Sequence, residues 1–168
     1  MYDRKVMNGI RLRPATDADY AFMRALYGAA RADEMPHFHF TPEQEQAFLD
    51  QQFAAQTAHY AAHYPTARFD IIERDGVPIG RLYVDVWPEE IRVVDIALMP
   101  EARKNGLGTA LMTQVLEEGR AAGKPVSIHV EIFNPALHLY ERLRFRDAGT
   151  NGVYKLMRWT PDQVNTAS

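Results

Sequence analysis

Ile10-Arg11-Leu12-Arg13 sets apolar against charged positions with the period of two that marks a strand solvated on one face. Pro14 ends it, so a short edge strand is expected. The period then changes. Ala18, Phe22, Leu26 and Ala29 or Ala30 recur near helical spacing behind Asp17, a residue type that caps helices, and the pattern fades by Pro36. Thr41-Pro42-Glu43-Gln44 is a second start signal, with a capping Thr, proline at the first helical position and Gln44 three residues after the cap. The helix it predicts runs through Phe48, Gln52 and Gln56 to about His63, and Pro65 stops it. The link between the two helices, Pro36-His37-Phe38-His39-Phe40, is rich in aromatic residues and histidine.

Strand patterns follow. Residues 67–74 are β-rich, Asp75-Gly76 is a hairpin turn signal, and 77–87 read as the partner strand. Pro88-Glu89-Glu90 makes a second turn into a third strand, 91–99, so an antiparallel meander is expected. Residues 100–106 lead into an amphipathic helix over 107–122, closed by Gly123 where a left-handed residue is needed. A fourth strand, 126–133, returns after that helix, which implies a crossover to a parallel neighbour. Asn134-Pro135 opens a short helix over 136–143, and strand-like pieces follow at 145–148 and 152–159. The sum is an α+β domain on a mixed sheet, expected to cover 1–160, with a polar tail over 161–168.

Composition narrows the chemistry mainly by exclusion. The 168 residues hold no cysteine, which removes disulfides, thiolate metal sites and thiol nucleophiles. The histidines lack ligand spacing, so no metal is expected. A formal net charge of −3 gives no electrostatic reason to bind nucleic acid. No apolar run is long enough for a signal peptide or a membrane span, so a cytoplasmic protein without a membrane partner is expected.

Two stretches carry chemistry. Arg103-Lys104-Asn105-Gly106-Leu107-Gly108-Thr109 lies between an apolar strand and a helix. A first helical turn has unpaired N–H groups and a partial positive charge. Two glycines and the small Thr109 let a phosphate approach that backbone, while Arg103 and Lys104 add positive charge. It is neither a Walker loop nor the dinucleotide fingerprint, and a helix start with glycines used only for tight turning is the plainer alternative. The second stretch runs from Asn134 to Phe145. Asn134 can cap the helix or offer its amide to a ligand, and Tyr140, six residues on, can address the same groove. Taken alone, Tyr140 reads first as a half-buried tyrosine with a satisfied hydroxyl, the commoner fate of this residue type. Leu137, Leu143 and Phe145 read as core.

Together these stretches resemble the GNAT superfamily of N-acetyltransferases. Arg103-x-x-Gly106-x-Gly108 is similar to that family's acyl-CoA signature, Ile96-Ala97-Leu98 to the strand before it, and Asn134 through Phe145 to its second cofactor segment. The order of elements also agrees. The resemblance implies a mostly antiparallel sheet flanked by helices, with a splayed central strand pair. It implies acetyl-CoA as co-substrate and direct transfer of acetyl to an amine, with no covalent enzyme intermediate. In that picture Ile96, Ala97 and Leu98 pair with the pantetheine arm, and an N–H near residue 98 polarises the thioester oxygen. N–H groups from Lys104, Asn105, Gly106, Leu107, Gly108 and Thr109 hold the pyrophosphate, Asn134 holds pantetheine or orders the helix, and Tyr140 protonates the departing thiolate.

The sequence departs from the family twice. The family glycine before phenylalanine is Arg144, so this helix end is expected to be built differently. Asn134 stands six residues before Tyr140, where several relatives have seven. A general base stays open between Asp95, His129, Glu131 and a water chain. Asp95 reads alternatively as a carboxylate satisfied by backbone or Arg92, or as a holder of a cationic acceptor. His129 and Glu131 share a strand face. In the resemblance the early helices shape the acceptor pocket, here with Tyr27, Arg31, Glu34, His37, His39, Tyr60 and Tyr64. Tyr83, Asp85 and Trp87 alternate on one face and could line that cleft or a homodimer contact. The expected partner is an amine-bearing small molecule or peptide. Two rival readings are a non-catalytic acyl-CoA sensor on the same fold and a plain phosphate- or nucleotide-binding domain.

Overall fold

The computed structural model describes residues 4–7 and 9–161. Of the tail expected over 161–168, residues 162–168 lie outside the described residues. Eight strands form a mixed, mostly antiparallel sheet: β1 (Arg4–Met7), β2 (Ile10–Pro14), β3 (Arg68–Arg74), β4 (Val77–Val86), β5 (Ile91–Leu98), β6 (Val126–Glu131), β7 (Arg146–Asn151) and β8 (Tyr154–Trp159). Their order is β1-β2-β3-β4-β5-β6-β8-β7. Four α-helices accompany them: α1 (Tyr20–Arg31), α2 (Pro42–His63), α3 (Leu107–Ala122) and α4 (Leu137–Arg142). No helix among the described residues is long and apolar enough to cross a membrane. The fold class expected from the sequence is the one found.

The chain clusters into two compact units. One holds the residues up to Leu82 together with Ile96–Arg103; the other holds Tyr83–Asp95 and the residues from Lys104 onward. In the first unit β2 is not an edge strand. It pairs antiparallel with β3, from Ile10↔Arg74 to Pro14↔Asp70, and with β1 on its other side. Strand β1 has no legible strand pattern of its own, because Arg4-Lys5-Val6-Met7 is short and half charged. A correction also applies to the first helix start. Thr16, not Asp17, is the cap, and it forms a capping box with Asp19 over a 3-10 turn before α1 begins. The second start signal works as read: Thr41 and Gln44 form a capping box and Pro42 opens α2. Helices α1 and α2 close on a core of Tyr27, Met35, Leu49 and Phe53. Asp75 and Gly76 hold φ of 50° and 83°, the two left-handed residues that a tight hairpin turn requires.

In the second unit α3 lies on β6 and β8. A side chain at Gly119 would place its Cβ 2.9 Å from Val126 Cγ2 and 3.2 Å from Trp159, so this helix approaches the sheet more closely than any other residue allows. Leu107, Leu111, Met112, Val115 and Leu116 bury the same helix face. Gly123, at φ 67°, ends α3 as expected. Three ranges in this unit differ from expectation by two residues or more: β6 stops at Glu131 rather than 133, β7 runs on to Asn151 rather than ending at 148, and β8 begins at Tyr154 rather than 152 because the hairpin turns at Gly152-Val153. Tyr83 and Asp85 are 5% and 2% exposed, so neither offers a surface to a second copy of the chain.

Candidate active site

Gly106 is the N-cap of α3 and holds φ 82°, a left-handed conformation that β-carbon-bearing residues adopt at a cost of roughly 1–2 kcal/mol. The loop before it contains a second left-handed residue, Lys104 at φ 64°. Asn105 Oδ1 accepts from the Leu107 N–H at 3.2 Å, which settles the first orphan donor of the helix. The N–H groups of Gly108 and Thr109 follow in the same turn, where a helix supplies no acceptor. A Cβ at Gly108 would meet only Leu139 Cδ2, at 3.6 Å, an ordinary contact. The turn is exposed from Lys104 to Gly106, and Lys104 adds positive charge to the partial charge of the helix tip. Arrangements of this kind bind anions.

Tyr140 sits in α4 and is 4% exposed. Its place is fixed by the way the helix ends. Arg144 holds φ 74°; its N–H donates to Glu141 O at 3.0 Å, and the Phe145 N–H donates to Tyr140 O at 3.0 Å. These are the two bonds of a Schellman motif, and its customary apolar contact is the Phe145 ring, 5.7 Å from the Tyr140 ring and edge-on to it. The expectation that Arg144 would alter this helix end is therefore corrected. Arginine adopts the backbone that glycine would. Burial first, and the negative charge of Asp95 second, push the Tyr140 phenol up to about 12. Asn134 Oδ1 accepts from Ala136 N–H at 2.9 Å, so its side-chain oxygen orders the turn into α4.

The pairing of β5 with β6 ends before either strand does. Strands β5 and β6 pair in parallel at Ile91↔Val126, Arg92↔Ser127 and Val93↔Ile128, and the register stops there although β6 continues through His129, Val130 and Glu131. Cross-strand partners share a face. Val126 lies against α3, so Ile91, Val93, Ile128, Met157 and Trp159 share that face. By alternation Asp95 falls on it too, consistent with its influence on Tyr140. Arg92, Ser127, His129 and Arg158 occupy the opposite face. The candidate bases are thus not one cluster: Asp95 is on one side of the sheet, His129 and Glu131 on the other.

The opposite face carries a network that sequence reasoning missed. Arg92 Nε donates to Ser127 Oγ at 2.8 Å, and its Nη1 lies 3.2 Å from His129 Nδ1. Glu90 accepts from Ser127 and lies 3.4 Å from Arg92 and 3.5 Å from Arg158. The Arg92 guanidinium also stacks 4.9 Å over the Trp87 ring. Arg92 therefore serves this network rather than Asp95. Burial and the Arg92 charge lower the His129 imidazole below its ordinary value, against an opposing pull from Glu90. Glu131 is exposed at the strand end.

Within the first unit, Ile96, Ala97 and Leu98 are half-buried at the end of β5. Ala97 O lies so close to β4 that a Cβ at Gly80 would come within 2.4 Å of it. The Arg103 side chain is exposed and its Nε donates to Leu98 O at 2.9 Å, bracing the turn that follows the strand. Among the acceptor-side candidates, Tyr27 is buried, its hydroxyl accepts from Arg31, and Glu34 is paired with Arg31. That ion pair occupies the carboxylate read as a holder of a cationic amine.

Comparison with known proteins agrees with this architecture. No curated protein sequence matches the chain. Among solved structures, PaiA N-acetyltransferase from Thermoplasma acidophilum in complex with coenzyme A superposes with a TM-score of 0.66 at 13% identity, over 90% of this chain and 98% of that one. An acetyltransferase from Salmonella typhimurium that modifies the N-terminal serine of a 50S ribosomal subunit protein gives 0.66 at 15%, over 96% and 100%. RimL, a ribosomal alpha-N-protein acetyltransferase in complex with coenzyme A, gives 0.65 at 13%, over 96% and 99%. At these identities the likeness speaks for the fold. The sequence profile described as acetyltransferase (GNAT) family matches residues 24–145. With most of its length inside that match, the chain belongs to the acetyltransferase (GNAT) family.

Proposed function

We propose that this chain transfers an acetyl group from acetyl-CoA directly to an amine of a small-molecule or peptide acceptor. The observation that carries the reading is the open first turn of α3. Gly106 supplies the left-handed entry, Lys104 supplies charge, and Gly108 and Thr109 supply N–H donors without helical acceptors. The residues fit the diphosphate of coenzyme A, since the Cβ position of Gly108 meets only Leu139 and the turn is exposed. Arg103, Asn105 and Leu107 shape the same turn, and Ile96, Ala97 and Leu98 offer strand backbone to a pantetheine arm. Two solved relatives in the family's fold carry coenzyme A, which supports this reading.

Tyr140 is the group assigned to the departing thiolate. With its phenol near 12 it keeps its proton throughout neutral and mildly alkaline pH, so a donor is always in place. Asn134 holds the turn that starts its helix. The acceptor must lose a proton, and Asp95, His129, Glu131 or a chain of waters receives it. The absence of cysteine agrees with direct attack on the thioester rather than a thiol-bound acyl enzyme.

The test is acetyl-CoA calorimetry followed by a thiol-release screen over polyamines, aminoglycosides, amino acids and peptide N-termini. Binding with acceptor-dependent release is expected. Binding without release from any amine would favour the acyl-CoA sensor, and a preference for ATP over coenzyme A would favour the nucleotide-binding reading.

A further inference from the structure

The face of the second unit opposite α3 holds a cleft of about 200 Å³. Two cross-strand rows build it. The first is His129–Leu156–Gly149 across β6-β8-β7 and the second is Tyr154–Asn151 across β8-β7, with Thr150 completing the lining. Gly149 opens the space. It follows a bulge at Asp147–Gly149, has φ 139°, and a Cβ there would meet no atom within 4 Å. The volume falls below the roughly 300–1,000 Å³ of whole-ligand pockets, so this is room for one end of a molecule. Its position is informative. His129 is the first β6 residue beyond Ile128, where the parallel register with β5 ends.

The protonation pattern of His129 follows from its partner. A guanidinium only donates, so at the 3.2 Å contact with Arg92 the Nδ1 of His129 accepts. A neutral imidazole with an accepting Nδ1 carries its proton on Nε2. The lone pair that a general base needs is already engaged, and the free edge of the ring presents a donor. Moving the proton to Nδ1 would set two donors against each other. The charged groups around the ring fit the same state. Arg92 faces it from β5, Glu90 is divided between Ser127, Arg92 and Arg158, and Glu131 stands two residues, or about 7 Å, along the same strand face.

We propose that His129 is a specificity-determining hydrogen-bond donor, fixed in its Nε2–H form by Arg92, and that the cleft beside it selects amines bearing a carbonyl or carboxylate oxygen close to the nitrogen. This rests on the acetyl-transfer reading and assigns His129 to acceptor binding instead of proton abstraction. The oxygen would accept from Nε2–H, with Leu156 and Gly149 giving the floor against which the carbon next to it packs. His129 is exposed, so water answers that donor in the free protein; a plain alkylamine would displace the water and give no acceptor in return.

The experiment compares glycinamide with its carbonyl-free near-isostere isobutylamine as acceptors, in the wild type, His129→Gln and His129→Leu. Glutamine can present an N–H where Nε2–H stood but cannot act as a base at neutral pH. The wild type is expected to favour glycinamide in kcat/KM. His129→Leu should reduce that preference at least tenfold, and His129→Gln should keep it within about threefold. Equal collapse of His129→Gln and His129→Leu with both amines, with loss of the acidic limb of the pH profile, would make His129 a base and overturn the proposal. Nitrogen-15 spectra of the imidazole supply a readout independent of turnover. They should give the Nε2–H tautomer, with His129 resonances shifting on addition of glycinamide but not isobutylamine. An Nδ1–H tautomer, or identical responses to both amines, overturns the proposal even if no amine releases thiol, an outcome that would instead refute acetyl transfer.

Discussion

Replacing Arg144 with glycine should stabilise the protein, although it removes a charged side chain and adds backbone freedom. Arg144 holds φ 74°, where an L side chain costs roughly 1–2 kcal/mol because its Cβ crowds the following carbonyl. Its side chain is exposed and takes part in no hydrogen bond or ion pair among the described residues, so little is lost with it. The gain is offset by the greater freedom of glycine in the unfolded chain, about 0.4–1 kcal/mol. The net expectation is about 0.5–1 kcal/mol. With unfolding entropy near 2.1 cal/mol/K per residue, that shifts Tm upward by about 1.5–3 °C for a chain of this length. Differential scanning calorimetry reads the shift. Hydrogen exchange at the Phe145 amide, which closes the motif on Tyr140 O, reads it locally. Arg144→Ala is the control: it keeps the Cβ and should gain nothing. A glycine variant no more stable than the parent, or an alanine variant that gains equally, would refute the assignment of strain to this backbone.

Two further outcomes follow from the site. Tyr140→Phe should lower kcat by about a hundredfold or more while calorimetry finds acetyl-CoA affinity within a few-fold of the parent. Gly106→Ala and Gly108→Ala should separate: the first forces a β-carbon into φ 82° and should lose about 1 kcal/mol of stability along with coenzyme A affinity, and the second, whose Cβ meets only Leu139 at 3.6 Å, should fold and bind nearly normally by the same calorimetric titration.

What the sequence revealed and what it hid divide along one physical line. The Thr41–Gln44 capping box, the Asp75-Gly76 turn, Gly106 and Gly123 are local devices, in which a few adjacent residues satisfy their own backbone, and each was readable in place; the Thr16–Asp19 box was hidden behind Asp17, an equally good capping residue type one position on. The order strand, glycine turn, helix was readable for the same reason. The Arg92–Ser127–His129–Glu90 network was not, because its members meet only through a parallel register between residues 91–93 and 126–128, which no local pattern encodes. The same register puts Asp95 and His129 on opposite faces, so two residues that looked like alternatives for one role answer to different surroundings. Strand β1 was hidden because pairing with β2, rather than its own composition, makes it a strand. Arg144 is a case where the residue type misled and the position did not: the family's glycine marks a backbone conformation, and that conformation persists with arginine in it.

The remaining question at the site is how a phenol near 12 serves a departing thiolate. An alkyl thiol has a pKa near 8.5, so full proton transfer from such a phenol is uphill by about 3.5 units, roughly 5 kcal/mol, unless the surroundings change. Tyr140 then acts first as a hydrogen-bond donor to developing charge on sulfur. Its proton moves only as burial raises the basicity of that sulfur as well. Asp95 bears directly on this balance, because its negative charge is the second cause of the raised phenol pKa and its strand position shares the face toward Tyr140. Asp95→Asn removes that charge while keeping the shape. The phenol should then titrate below 12 but above the ordinary 10, since burial, the larger cause, remains. Difference absorbance of the phenolate, or carbon-13 shifts of labelled tyrosine with Tyr140→Phe for assignment, would follow it. Between pH 7 and 9.5 neither protein should show an activity limb from Tyr140, because a raised pKa holds the proton on through that range. A Tyr140 phenol that titrates identically with and without the Asp95 charge would mean that the two side chains do not sense each other, and the placement of Asp95 beside the tyrosine would have to be abandoned.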